Sequence, residues 1–179
     1  MMIMYCILAV FTLIYLVLAA FMDLKERLIF VFPIVVLHAL WSTYLLFSGV
    51  YDSTFLSVYW IVNLIVYLLL NHFGIWGGGD SDLFLLMGNV CLGAGAAMNG
   101  YMAAILECMC LCVRLGISMG ISRIEAEIKK EQMTLDRGVA VVPGVAVVMT
   151  VLLVKGLIWR FMKWMEYRLL RELFHRYQK

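Results

Sequence analysis

Long apolar blocks alternate with short polar stretches along the 179-residue chain. Each block is close to the roughly 20 residues that an α-helix needs to cross the hydrocarbon core of a bilayer. The predicted spans are residues 1–22, 28–48, 54–73, 80–98, 101–122 and 138–158. The pattern therefore predicts an all-α fold, a polytopic membrane helix bundle of about six transmembrane helices, with residues 1–158 as one membrane domain.

Composition excludes an ordinary soluble domain and several classes of site. Hydrophobic residues make up 65% of the chain and charged residues 15%, whereas soluble domains are about half apolar. The net charge of +2 is small, and the basic residues gather at the carboxyl end, so no nucleic-acid partner is expected. The five cysteines lie in apolar blocks without a CxxC pair, and HExxH and Walker sequences are absent. We therefore expect no metal and no cofactor.

Charge between the spans predicts how the chain is oriented. The basic residues of these loops follow the first and fifth spans: Lys25, Arg27, Arg123, Lys129, Lys130 and Arg137. By the positive-inside rule these two loops are cytoplasmic. Asp23 ends the first span and Asp80 opens the fourth, so two complete spans separate them. Because two crossings return the chain to the same face, both carboxylates are predicted at the cytoplasmic face of the inner or plasma membrane.

The carboxyl-terminal segment 159–179 does not fit this scheme. Seven Lys or Arg residues lie between positions 155 and 179, on the side that six crossings would leave outside. Apolar and basic positions recur there at helical spacing, which is typical of an amphipathic helix lying in the membrane interface. The pattern predicts an interfacial basic tail and leaves its side of the membrane open.

Two carboxylates at one membrane depth on different helices can form an aspartic-protease pair. Neighbouring like charges cannot both ionise, so one member is ionised and the other protonated. The ionised member acts as general base on a water, and the protonated member polarises the scissile carbonyl and supplies a proton. Asp23 and Asp80 can supply this pair. Gly77, Gly78 and Gly79, which lack a Cβ atom, would let an extended substrate backbone approach Asp80.

Three stretches of the chain carry a family resemblance. GGGD at 77–80 matches the GxGD motif of membrane-embedded aspartic proteases, and DLKERLI at 23–29 resembles the end of the first span of prepilin peptidases. Pro143-Gly144 resembles a segment of that family's last span. The chain thus resembles the prepilin peptidase family in its small form without the methylation domain, like the tight-adherence (Flp) pilus peptidases or the archaeal preflagellin peptidases.

The resemblance implies a function and a site. Asp23 and Asp80 match the catalytic aspartates of an endopeptidase that removes the short basic leader from type IV pilin-like (Flp-type) prepilins at the cytoplasmic membrane face. The implied partners are the precursor and the lipid bilayer. The cysteine-rich amino-terminal region of larger members is missing, so no methyltransferase activity is expected. The sequence leaves open the precursor, the choice between a bacterial and an archaeal system, and the oligomeric state.

Two departures from the family pattern affect substrate binding. Ile29, Phe30 and Val31 stand where the family usually has Ile-Pro-Asn, and Asp82 stands where a lysine is common. On a helix Asp82 points about 200° away from Asp80, so we expect it to bind the basic leader instead of pairing with Asp80. His72, at the cytoplasmic end of the third span, is a further candidate to hydrogen-bond the carboxylates or the substrate.

Simpler interpretations compete with this site. Asp23 is also placed to pair with Lys25 or Arg27, and the three glycines to form an ordinary turn. Glu107 and Arg114 share a helix face and are predicted to form an ion pair inside the bundle. Three polar residues within spans are expected to satisfy interhelical hydrogen bonds: His38, Asn63 and Asn89. The rival functions are a small transporter or channel subunit that binds ions or protons at intramembrane acids, and an inactive assembly partner.

Overall fold

The computed structural model describes residues 2–26, 28–73, 78–95, 99–129 and 141–177. The described residues form helices and their connections, without a strand. The helices are α1 (Met2–Glu26), α2 (Val31–Ser48), α3 (Ser53–His72), α4 (Gly78–Ala94), α5 (Gly100–Lys129) and α6 (Val142–Tyr177). This confirms the all-α prediction, and each predicted span corresponds to one helix.

Five of these helices, all except α4, are long and apolar enough to cross a membrane. Helix α4 has 17 residues, or about 26 Å at 1.5 Å per residue, and it is the helix with the many small residues. It packs against α2, α3, α5 and α6, and almost all of its side chains from Ser81 onward are buried. Because protein and not lipid surrounds it, α4 needs less apolar surface than its neighbours.

The helices alternate in direction, which gives the bundle two distinct ends. At one end, here called the carboxylate end, α1, α3 and α5 finish and α2, α4 and α6 begin. Asp23 lies in the last turn of α1 and Asp80 in the first turn of α4, so both belong to this end. The alternation of helix directions is thus the reason why the two carboxylates share one end of the bundle.

At the opposite end, here called the aromatic end, aromatic side chains and the Arg160 guanidinium pack together. The rings of Tyr5 and Trp41 meet edge to face at 5.4 Å, and those of Trp41 and Tyr44 at 5.7 Å. The Arg160 guanidinium lies 3.7 Å from the centre of the Tyr5 ring. It also donates to the Gly93 carbonyl at 2.7 Å, which caps one of the last carbonyls of α4. These contacts join α1, α2, α4 and α6.

Another capping contact at the aromatic end comes from the α2–α3 connection. The Tyr51 hydroxyl lies 3.0 Å from the Leu92 carbonyl and 3.1 Å from the Gly95 carbonyl. Burial raises the pKa of Tyr51 to about 12, so the phenol remains a hydrogen-bond donor at neutral pH.

The predicted tail is not a separate helix. Helix α6 runs unbroken from Val142 to Tyr177 over 36 residues, so residues 159–177 continue the last span. Side chains from 161 to 171 are all exposed, with apolar rings beside basic groups, as where Lys163 lies 4.9 Å from the Trp159 ring. The placement of residues 159–177 in the membrane interface stays a prediction.

Candidate functional site

Asp23 is buried inside the bundle. Only 5% of its surface is exposed, and its Oδ2 accepts a hydrogen bond of 3.1 Å from the backbone N–H of Val142, the first residue of α6. A helix begins with unsatisfied N–H groups and partial positive charge, so a carboxylate from α1 is well placed there. Asp23 is therefore a buried residue of α1 and not part of an exposed loop, while its pairing with Arg27 stays a prediction. Lys25 pairs with Glu26 at 3.3 Å, and Arg27 lies outside the described residues.

Asp80 is half-buried in the first turn of α4. It interacts electrostatically with Arg114 of α5, a residue with no exposed surface. Arg114 is also linked to Asp23 through contacts between α5 and the start of α6. The added Cβ of an alanine at Gly144 would lie 2.5 Å from the Arg114 carbonyl oxygen, so α6 touches the α5 backbone at that point.

The start of α6 completes the link between the two carboxylates. Ser118, one turn after Arg114, donates a hydrogen bond of 3.1 Å to the Val141 carbonyl. Val142, which follows, donates to Asp23. Asp23 and Asp80 thus lie at the same end of the bundle and are linked indirectly, through the start of α6 and the second half of α5.

Gly79, directly before Asp80, has a packing role. Gly78 and Gly79 are the first residues of α4, while Gly77 lies outside the described residues. A Cβ atom at Gly79 would come within 3.0 Å of the Ile29 Cβ. The absence of that atom lets the α1–α2 connection approach the start of α4 beside Asp80. Gly79 is therefore explained by close packing within the chain, and its contact with a substrate stays a prediction.

Asp82 and His72, the other two candidate substrate-binding side chains, have their own contacts. Asp82 hydrogen-bonds to Tyr67 of α3 and interacts electrostatically with His38 of α2. Since Asp80 interacts with α5, the two acids of α4 turn toward different helices, as the helical spacing predicts. His72 ends α3 with an exposed side chain, and its ring meets that of Phe73 at 5.3 Å.

A second acidic group lies deeper in the bundle. Glu107 of α5 is 5% exposed, and the Tyr59 hydroxyl of α3 donates a short hydrogen bond to its Oε2. Asn63 also hydrogen-bonds to it, and Arg114 interacts with it electrostatically. A Cβ at Gly88 would lie 2.7 Å from Glu107 Oε1, so the carboxyl group lies directly against the α4 backbone. Arg114 interacts electrostatically with both Asp80 and Glu107, and a direct Glu107–Arg114 ion pair stays a prediction.

The remaining intramembrane polar residues are paired as predicted. The Asn89 amide of α4 donates to Ser42 Oγ at 2.8 Å, and its Nδ2 lies 3.1 Å from His38 Nδ1. Trp60 Nε1 donates to Asn89 Oδ1 at 2.8 Å. These bonds join α4 to α2 and to α3. They border a cavity of about 150 Å³ that Tyr59 and Asn63 also line.

Among the described residues, His, Cys, Asp and Glu side chains form no group of three or more that could hold a metal ion. All five cysteines are free thiols.

Comparison with known proteins identifies no relative: no family model, no curated protein and no solved structure matches this chain. The candidate site therefore stands on its residues and geometry alone.

Sequence reasoning missed the partners of the two aspartates. Val142 is 119 positions from Asp23, and neither hydropathy nor helical spacing contains information about such a contact. The link between Arg114 and Asp80 had one usable signal, because an arginine within an apolar span needs acidic partners.

Proposed function

We propose that this protein is a membrane-embedded aspartic endopeptidase that removes the short basic leader of type IV pilin-like (Flp-type) prepilins at the cytoplasmic face. The observation that carries the proposal is the Asp23–Asp80 pair, in which separate helices bring two acids to one end of the bundle. Asp23 accepts a hydrogen bond from the first N–H group of α6, and Asp80 interacts electrostatically with Arg114. Two acids in different surroundings are what a base and an acid of one reaction require.

The substrate class rests on the sequence resemblance and on charge. A basic leader needs acidic groups where it approaches the membrane, and half-buried Asp82 lies in the same turn of α4 as Asp80. A precursor whose apolar helix follows the cleavage site would present its scissile bond at the membrane boundary. That is the depth at which the first turn of α4 and the last turn of α1 lie under the proposed orientation.

Co-expression with a pilin-like precursor tests the proposal. Asp23→Asn and Asp80→Asn should each lower the cleavage rate at least about 100-fold, because each removes a proton-transfer group. Asparagine at position 23 keeps an oxygen acceptor for the Val142 N–H, so the protein should still insert and fold. The readout is the mobility shift of the precursor on a denaturing gel.

Asp52→Asn is the matched control. Asp52 is exposed at the aromatic end and accepts a hydrogen bond of 2.9 Å from the Thr54 N–H as the cap of α3. Asparagine caps helices about as well as aspartate, so this variant should cleave at the wild-type rate. Cleavage that persists in the Asp23→Asn or Asp80→Asn protein would refute the proposal.

One observation favours a second candidate, a small transporter or channel subunit. Glu107 is buried in contact with Tyr59 and Asn63, which line the cavity of about 150 Å³. Buried acids beside a cavity also mark ion and proton pathways in membranes. This function predicts a proton or cation flux into proteoliposomes that Glu107→Gln abolishes and that Asp23→Asn leaves unchanged.

A further inference from the structure

Lys155 is an exposed cation in the middle of α6, a helix that is long and apolar enough to cross a membrane. From Val142 to Lys155 the helix advances 13 residues, about 20 Å at 1.5 Å per residue. Among the described residues, no acid pairs with the Lys155 ammonium group and no oxygen accepts a hydrogen bond from it. A charged group on the lipid-facing surface of a helix is costly without a partner. We therefore looked for an anion from outside the chain that fits beside it.

Two apolar grooves meet at Lys155. One, of about 350 Å³, runs between α5 and α6, and Met109, Val113 and Val147 are among its lining residues. The other, of about 500 Å³, follows α6 itself from Thr150 to Met162. Of the described residues that line the two grooves, Lys155 alone is charged. A molecule that fills both grooves must therefore be apolar over most of its length and negatively charged at one place.

Lys155 lies near the level at which lipid headgroups are expected. Trp159 follows it by one turn, and tryptophan is typical of the boundary between membrane and water. The next residue, Arg160, donates to the Gly93 carbonyl at the aromatic end. A lysine stem can extend along apolar surface while its charge stays at that boundary. The aromatic end is thus where a negative headgroup would meet Lys155.

The groove between α5 and α6 leads from Lys155 into the middle of the bundle. Along α6 its lining reaches back from Lys155 to Val147, which is about 12 Å at 1.5 Å per residue. Val151 lies halfway and lines both grooves. The apolar surface therefore begins at the charge and continues toward the centre of the membrane, as the acyl chains of a lipid do below its headgroup.

We propose that Lys155 and the two grooves form a binding site for one anionic phospholipid, with its phosphate at Lys155 and its acyl chains in the grooves. A phospholipid has one charged headgroup and two apolar chains, and the site offers one cation and two apolar grooves. The site lies toward the aromatic end, away from Asp23 and Asp80, so it is separate from the proposed cleavage reaction.

Native mass spectrometry of the protein in detergent tests the site. The probes are phosphatidylglycerol and phosphatidylcholine with identical acyl chains. Wild type should bind one phosphatidylglycerol about 10-fold more tightly, because the choline cation opposes Lys155 and a charge-assisted hydrogen bond contributes about that factor. Lys155→Met should lower the affinity for phosphatidylglycerol to that for phosphatidylcholine, whereas Lys155→Arg should keep the preference.

Lys163→Met is the matched control for charge. Lys163 is an exposed lysine of the same helix that lies 4.9 Å from the Trp159 ring and lines neither groove. Its replacement should leave the affinity for phosphatidylglycerol unchanged, because an exposed surface charge contributes little. An equal loss in Lys163→Met and Lys155→Met would show a diffuse attraction to the basic helix and would overturn the site.

Val151→Trp tests the grooves. An indole at this position would occupy the place where both grooves run, so the affinity for both lipids should fall about 10-fold through lost apolar burial. Val10→Trp is the control, because Val10 is an exposed valine of α1 outside the two grooves.

Three further results would overturn the proposal. They are equal affinities of the wild type for the two lipids, an unchanged preference in Lys155→Met, and unchanged lipid binding in Val151→Trp. Spectra in which the wild type forms a dimer that excludes lipid, and in which Val151→Trp is monomeric, would assign the grooves to a second copy of the chain instead.

Discussion

At the scale of single residues, Asp23 serves the fold as well as the proposed chemistry. Its hydrogen bond to Val142 fixes the end of α1 against the start of α6. A carboxyl group held by a neighbouring helix keeps a defined position, which a proton-transfer group needs. Replacing Asp23 by alanine would remove both functions at once. Asparagine is therefore the informative substitution at this position.

Tyr59 offers a direct test of the polar cluster that it forms with Glu107 and Asn63 inside the bundle. Its hydroxyl donates to Glu107 and lies 3.2 Å from the Gly88 carbonyl. Tyr59→Phe would leave a buried carboxyl group without that donor, so the free energy of unfolding should fall by about 1–3 kcal/mol. Thermal melting in detergent measures the change. Tyr101→Phe is the control, because Tyr101 is 81% exposed. Equal melting temperatures for the two variants would show that the Tyr59 hydroxyl does not stabilise the protein.

At the scale of elements, α4 organises the bundle through residues without bulky side chains. Trp41 of α2, itself fully buried, occupies the space beside Gly93, where an added Cβ would lie 2.6 Å from its Cζ3 atom. By contrast, Gly116 and Gly120 of α5 have no atom within 4 Å of an added Cβ. The four-residue spacing of Gly116 and Gly120 predicts close helix packing, but no described helix packs closely against them.

This difference between glycines gives a paired prediction. Gly93→Ala must displace an indole ring that is held on both sides by Tyr5 and Tyr44, so it should destabilise the protein by about 1–3 kcal/mol. Gly116→Ala meets open space and should leave stability unchanged or raise it by up to about 1 kcal/mol, because alanine favours helices. The melting temperatures of the two variants test this prediction. Equal losses of stability would show that Trp41 does not pack as closely against Gly93 as described.

Hydropathy predicted the existence and order of the elements well, and their lengths less well. Helices α2 and α3 begin and end within a few residues of the predicted spans. Helix α5 reaches Lys129 and α6 reaches Tyr177, whereas the apolar blocks stop at 122 and 158. An apolar block reports only the part of a helix that lipid or protein covers, while backbone hydrogen bonds continue through polar residues. Hydropathy therefore could not show the polar end of α5, whereas the helical spacing of residues 159–179 did predict helix in the part that α6 includes.

The candidate site was predictable in its acids but not in its partners. Helix parity brings Asp23 and Asp80 to one end, and that follows from counting spans. The contacts of each acid depend on which helices are neighbours, and six antiparallel helices allow several arrangements with the same hydropathy. The position of α4 at the centre, which brings Arg114 to Asp80, is therefore information that only the folded structure supplies.

At the scale of the whole molecule, the length of α6 bears on the conflict between the basic tail and the basic loops. From Val142 to Arg171 the helix advances 29 residues, about 44 Å at 1.5 Å per residue, which exceeds a hydrocarbon core of about 30 Å. We therefore predict that this unbroken helix, which begins at the carboxylate end, leaves the membrane at the aromatic end. The positive-inside rule weighs late segments less than early ones, so a basic tail on the opposite side is physically acceptable.

Cysteine labelling of intact cells checks this topology. In a protein whose native cysteines are replaced by alanine, Arg123→Cys should react with an impermeant maleimide only after lysis, because it lies at the carboxylate end of α5. Arg171→Cys should react in intact cells, as should Asp52→Cys, an exposed position at the aromatic end that serves as the control.

If Arg171→Cys instead behaves like Arg123→Cys, α6 does not cross the membrane. Val142 would then still hold Asp23 at the cytoplasmic face, but the tail would lie beside the site, where its basic groups would repel a basic leader and weaken the case for that substrate.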